Sequence, residues 1–193
     1  MKRLFVAVEV QISESFQALL INLKQALCLD KVVWVDDKLH HLTLRFLGQT
    51  PEPFISPLKQ ALAKLTADND AFSMEMNRLG VFGSKHSPQV IWLGFQDFEP
   101  FRQLFLQLEP QLLAIGFEPN YGNFVPHLTL GRIKQIQNKK RFWELVTALQ
   151  PKESQMVYVD SLLLIQSRLT PQGPIYRVLE RYPLRKEKAL VEE

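Results

Sequence analysis

Two tetrapeptides in this chain are identical, and each pairs a titratable base with a hydroxyl: His41-Leu42-Thr43-Leu44 and His127-Leu128-Thr129-Leu130. The whole chain has only four histidines, so chance explains two such pairings poorly. Imidazole has an ordinary pKa of about 6.5, so either histidine can give or take a proton near neutrality. A threonine hydroxyl donates to an anionic oxygen without adding charge. Arg132, just after the second tetrapeptide, adds a planar cation suited to phosphate. One histidine to activate water, another to protonate a leaving oxygen, two hydroxyls and a guanidinium form a complete set. It suffices for metal-free attack on a reactive phosphodiester, of which a strained cyclic phosphate is an example.

Such chemistry needs both tetrapeptides on rigid elements, and alternating Leu and Thr reads as a strand. Residues i and i+2 of a strand share a face, so His41 points with Thr43, and His127 with Thr129, while the leucines point into the core. His40 falls on the face opposite His41. Neither His40 nor His86 has a matching threonine, and both read as structural.

Around these strands the chain alternates strand and helix. Strands are expected over residues 4–10 and 32–35, with a Ser13-capped helix between them bearing Phe16, Leu20, Leu23 and Leu27. A second helix follows Pro51 and Pro53 to Leu65. A strand over 71–79, a polar loop over 80–88 and a strand over 90–95 come next. Pro100 opens a third helix that Gly116 closes. A loop over 118–126 carries Tyr121 and Phe124 and delivers the second motif strand. A basic turn (Lys134, Lys139, Lys140, Arg141) precedes a fourth helix. Strands over 156–169 and 175–184 are joined by a hairpin at 171–173, and the charged tail from about 185 is expected to fray. Recurrence of the motif strand in like contexts predicts an α+β fold of two pseudo-symmetric lobes. Each lobe is an antiparallel sheet with helices outside, and the motif strands face a central groove. No Gly/Ser linker separates the halves, so residues 1–193 read as a single bilobal domain.

Composition sets outer bounds. At 193 residues, with 46% apolar and 22% charged residues, the chain has ordinary globular composition. A net charge of +3 fits an anionic ligand but is too small for wrapping long nucleic acid. Cys28 is alone, which excludes a disulfide framework and a cysteine metal site. Few His without Cys and without His-Glu-x-x-His spacing make poor ligands for zinc, so no metal is expected. No stretch reaches the length of a membrane span, and no secretory signal is expected at the N-terminus; a cytoplasmic monomer is the default.

The paired motifs resemble the two-histidine phosphoesterases, and more closely the RNA 2′,3′-cyclic phosphodiesterases, also called 2′-5′ RNA ligases. The resemblance extends through 3–7, 41–48, 90–94 and 126–132 to Ser167, Gly173 and Tyr176. It implies His41 as proton donor to the departing 3′ oxygen and His127 as the acceptor that activates water. Thr43 and Thr129 would hold the phosphate, assisted by Arg132. It further implies no cofactor, RNA ends or nucleotides bearing a 2′,3′-cyclic phosphate as partners, a 2′-phosphomonoester product, and reversible ATP-independent 2′-5′ ligation. Phe46, Tyr121 and Phe124 are candidate substrate-binding residues beside Arg132; Tyr121 and Phe124 could stack a terminal base, and read equally well as packing residues. Two alternatives remain open: hydrolysis of a small cyclic or 2′-5′-linked nucleotide, and a non-catalytic binder of nucleotides or RNA ends using the same groove.

Overall fold

Apolar alternation and helical periodicity sort the chain into nine strands and four helices among residues 1–171 and 173–186, which the computed structural model describes. In order these are β1 (Lys2–Glu9), α1 (Glu14–Ala26), β2 (Lys31–Trp34), β3 (His41–Thr50), α2 (Glu52–Asp68), β4 (Phe72–Gly83), β5 (Pro88–Gln96), α3 (Glu99–Ile115), β6 (His127–Gln135), α4 (Lys139–Ala148), β7 (Gln155–Val159), β8 (Ser161–Thr170) and β9 (Gly173–Pro183). The main strand order is β7-β4-β5-β6-β3-β1-β8-β9, with β2 beside β6. All pairings between these strands are antiparallel.

The sheet is two half-sheets that meet at one residue pair, Leu42 opposite Leu128, in the middle of the two identical tetrapeptides. β3, β1, β8 and β9 form one lobe; β7, β4, β5, β6 and β2 form the other. Leu42, Leu44, Leu128 and Leu130 are all buried and join the core shared with the helices. α2 and α3 pack against each other and reach the first lobe's strands β3, β8 and β9. Hydrogen bonds tie α1 and α4 to the second lobe: Gln155 of β7 accepts from Ser13 N and donates to Gln11 O, and Gln150 bridges both backbone groups of Leu79. On the opposite face of the first lobe Phe5, Ala7, Leu163 and Ile165 form a separate apolar cluster capped by Tyr176. No helix among the described residues is long and apolar enough to cross a membrane.

Four local expectations are corrected. The strand expected over 156–169 is two strands in different lobes, β7 and β8, broken at Asp160. Apolar residues run through the crossing because β8 is buried on both faces, Leu162 and Leu164 in the main core and Leu163 and Ile165 in the groove cluster. The loop expected over 80–88 shrinks to a turn at 84–87, since β4 and β5 pair as far as Gly83 and Pro88, with the Phe82 and Trp92 rings tilted against each other 4.8 Å apart. Lys139, Lys140 and Arg141 lie in the first turn of α4, where the Asn138 side chain accepts from Arg141 N. Ser13 occupies the N-cap position of α1, but its hydroxyl meets Ser15 and caps nothing. Gly116 ends α3 in the left-handed region, φ 106°, as its position predicts. Arg185 is fixed by an ion pair to Asp70 at 2.9 Å, so the chain stays ordered past Pro183. The rest of the tail, 187–193, and Gln172 of the expected hairpin turn lie outside the described residues.

Candidate active site

The single pair that joins the lobes fixes how the motif side chains meet. With Leu42 opposite Leu128 in antiparallel register, His41 lies towards Thr129 and Thr43 towards His127. The leucines face the core, so the two histidines and two threonines form a square on the groove face. All four are half-buried. Neither threonine hydroxyl is hydrogen-bonded among the described residues, which leaves both free to donate to a ligand.

Each motif strand carries a β-bulge just after its threonine, and the bulges decide which further side chains reach the groove. In β6, Thr129 stands opposite Trp92 and Gly131 opposite Ile91, so Leu130 is the extra residue. In β3, Thr43 stands opposite Ala7 and Arg45 opposite Val6, so Leu44 is the extra residue. A regular strand would put position i+3 from the threonine on the core face; one extra residue returns it to the groove. Phe46 and Arg132 hold these equivalent positions and both are exposed. Thus the lobes present His41, Thr43 and Phe46 on one side and His127, Thr129 and Arg132 on the other.

Both histidines are held alike. Nδ1 of His41 lies 2.7 Å from Leu39 O, and Nδ1 of His127 lies 2.8 Å from Val125 O, each carbonyl two residues upstream. A carbonyl can only accept, so Nδ1 carries the proton in the neutral ring and Nε2 keeps its lone pair for chemistry. His41 also packs within an aromatic set, with ring centroids 4.9 Å from Phe5 and 5.2 Å from Tyr176. His127 has the matching surroundings, 4.7 Å from Phe82 and 6.3 Å from Trp92. Burial against these rings holds both imidazoles below their ordinary pKa, opposed by the carbonyl hydrogen bonds. The charges of His40, His127 and Arg132 lower His41 further, and that of Arg132 lowers His127.

The other expected residues divide. Phe46 lies beside the site, its ring 5.8 Å from Phe5. Phe124 stacks on Phe105 of α3 at 4.4 Å and packs against the core, in keeping with the packing alternative for this residue. Tyr121 is 88% exposed on its loop and packs against nothing in the core. His40 is buried just before β3, at the end of the 3-10 turn Asp37–Leu39, and His86 is exposed in the 84–87 turn. Among the described residues no three His, Cys, Asp or Glu side chains gather as metal ligands.

Sequence reasoning gave no part in the site to the aromatic supports Phe5, Tyr176 and Phe82, and it read Trp92 as core, where its ring is indeed buried. Their strands are distant in sequence from the motifs, and only register brings them together. It also passed over Arg45. That guanidinium donates to Glu109 of α3 at 2.5 Å and to the Glu118 carbonyl at 2.5 Å, while Glu109 also accepts from Asn120 N at 3.2 Å. The first motif strand thereby fastens the loop that ends at Val125 and orients His127.

A groove with paired imidazoles, paired hydroxyls and one cation defines a two-histidine phosphoesterase site. The LigT-like phosphoesterase family matches residues 6–92 and 96–176, each stretch containing one motif, and the chain belongs to that family. It is 34% identical over 177 residues to a Thermotoga maritima protein named RNA 2′,3′-cyclic phosphodiesterase, covering 92% of each chain. It is 36% identical over 146 residues to an Aeropyrum pernix protein of the same name, covering 75% of this chain and 82% of that one. Among solved structures, TT0787 of Thermus thermophilus superposes with a TM-score of 0.75 at 26% identity, covering 96% and 99% of the two chains. Escherichia coli LigT in complex with 3′-AMP has the same fold, with a TM-score of 0.75 at 23% identity over 95% and 98%.

Proposed function

We propose that this protein hydrolyses RNA 2′,3′-cyclic phosphodiesters to 2′-phosphomonoesters without a metal. The observation that carries this reading is the matched pair of imidazoles clamped at Nδ1, around two threonine hydroxyls, with Nε2 and the hydroxyls unpaired among the described residues. Relatives similar over most of the chain bear the name of that activity. In the forward direction His127 Nε2 takes a proton from water as its oxygen attacks phosphorus. His41, protonated at Nε2, delivers its proton to the departing 3′ oxygen. Thr43, Thr129 and Arg132 hold the phosphoryl oxygens where negative charge accumulates. The near two-fold geometry supplies two equivalent imidazoles, and the division of roles follows the family resemblance. With a 5′-hydroxyl in place of water as the nucleophile, His127 would take its proton and His41 would again protonate the departing 3′ oxygen. This would form a 2′-5′ linkage at the cost of the cyclic phosphate alone; the reverse of that step would cleave the linkage. Phe46, beside the phosphate position, offers its exposed face to the terminal base.

Mutagenesis tests the assignment. His41→Ala and His127→Ala each lower kcat by about 10²–10⁴-fold with the fold retained. Thr43→Ala and Thr129→Ala lower it by about 10²–10³-fold at most, as for one lost transition-state donor. Wild-type turnover in either histidine variant would overturn the roles.

A further inference from the structure

A pocket of about 290 Å³ lies where the ends of β1, β8 and β9 meet β7, and its residues have no part in the phosphate chemistry. Its walls come from both lobes: Glu9, Ser161 and Arg181 from β1, β8 and β9, with Asp160 at the crossing and Met156 and Tyr158 from β7. Glu9 is the cross-strand partner of His41, so one wall of the pocket stands next to His41 across β1 and β3. Its polar groups are already ordered. Arg181 bridges Glu9 Oε2 at 2.9 Å and donates to Ser161 Oγ at 2.8 Å, and Ser161 in turn donates to Asp160 Oδ1 at 2.7 Å.

This network selects its occupant. Two carboxylates face one guanidinium, which is already engaged, so a further phosphate is unwelcome. Glu9 Oε1 and Asp160 Oδ2 accept from nothing among the described residues, so they favour a ligand that brings hydroxyl or amino donors. Tyr158, 56% exposed, supplies an aromatic surface. An uncharged ribonucleoside meets all three conditions, and the volume is close to the lower end of small-ligand pockets, about 300 Å³.

The chemistry of the reaction says which nucleoside. In a 2′,3′-cyclic phosphate the base sits on C1′, beside C2′, and the 5′ chain leaves from C4′, beside C3′. His41 serves the 3′ oxygen in the mechanism above, so the 5′ chain departs on His41's side, where Glu9 stands. We propose that this pocket is a subsite for the penultimate nucleoside of the RNA, with its base against Tyr158 and its 2′-hydroxyl donating to Glu9 or Asp160. The inference rests on the phosphodiesterase reading above. It makes the enzyme prefer RNA ends to cyclic mononucleotides, and ribose to deoxyribose one position inward.

The test compares kcat/KM for a cyclic mononucleotide, for the dinucleotide carrying the same cyclic end, and for that dinucleotide with 2′-deoxyribose at the inner position. In the wild type the dinucleotide is better by about tenfold or more, consistent with one stacked base, and the deoxy substrate loses most of the gain. Glu9→Gln and the exposed-site variant Tyr158→Ala each reduce the dinucleotide advantage to less than about threefold while cyclic mononucleotide turnover stays at the wild-type level. An undiminished advantage in both variants, or a wild type indifferent to the inner nucleoside, overturns the subsite and leaves the phosphodiesterase intact. Absence of turnover on every substrate overturns the phosphodiesterase reading and the subsite with it.

Discussion

Replacing Arg45 by methionine tests how the lobes are locked together. The Arg45 and Glu109 side chains are 12% and 16% exposed, and the guanidinium gives hydrogen bonds to Glu109, Phe46 O and Glu118 O. Removing one partner of a fully buried pair costs about 3–5 kcal/mol, because the other charge stays buried and uncompensated. Residual solvent access and the Asn120 N–H that Glu109 retains reduce this to about 2–3 kcal/mol. For a chain of this size each kcal/mol moves Tm by about 2–4 °C, so Arg45→Met lowers Tm by about 4–12 °C. The double variant Arg45→Met/Glu109→Met removes the orphaned carboxylate as well and regains more than half of the loss. Thermal unfolding followed by circular dichroism measures both. Because the fastened loop ends at Val125, which orients His127, kcat of Arg45→Met also falls at temperatures where it is fully folded. A Tm change below about 2 °C, or a double variant no more stable than the single one, would refute the reasoning.

Three further outcomes follow from the same geometry. Burial holds both motif imidazoles below 6.5, so on the proposed assignment the acid of the free enzyme loses its proton early as pH rises. The alkaline limb of kcat/KM therefore has its midpoint below about 6.5, while the limb of kcat lies higher because bound phosphate favours the imidazolium; a kcat/KM limb above about 7 contradicts this. His40 is buried with both ring nitrogens unpaired among the described residues, and burial lowers its pKa against the pull of Asp37, so the unfolded chain takes up the proton first as pH falls. His40 thus contributes an acid-induced loss of stability below about pH 6.5, and His40→Leu flattens Tm against pH there without reducing activity. At Gly80 a Cβ would lie 2.3 Å from the Trp92 ring, so Gly80→Ala pushes Trp92 off its seat beside His127. It costs about 1–3 kcal/mol in denaturant titration and lowers kcat together with stability.

The motif histidines and threonines were legible because alternation in a short strand fixes their common face, and a repeated tetrapeptide marks both copies. The two-lobed α+β architecture was legible from the recurrence of strand and helix around them. Leu44 and Leu130 were not readable as bulges, since each continues the apolar alternation. Only the partner strand reveals the extra residue, and with it why Phe46 and Arg132 return to the groove. The lobe crossing at Asp160 escaped for a related reason: β8 is buried on both faces, so its apolar run merges with β7. Phe124 and Tyr121 were ambiguous because a loop aromatic has no period to fix its direction. Stacking on Phe105 settled Phe124. The aromatic supports under each imidazole depend on register between strands far apart in sequence, which local patterning does not encode.

The most direct measurement is the product formed from a short RNA ending in a 2′,3′-cyclic phosphate, incubated with the protein in EDTA and resolved by isomer. The account predicts undiminished turnover and clean 2′-phosphate, because two imidazoles supply the acid and base and His41 serves the 3′ oxygen. Loss of turnover in EDTA would contradict the metal-free mechanism, and a 3′-phosphate product would reverse the substrate in the groove and the role given to His41.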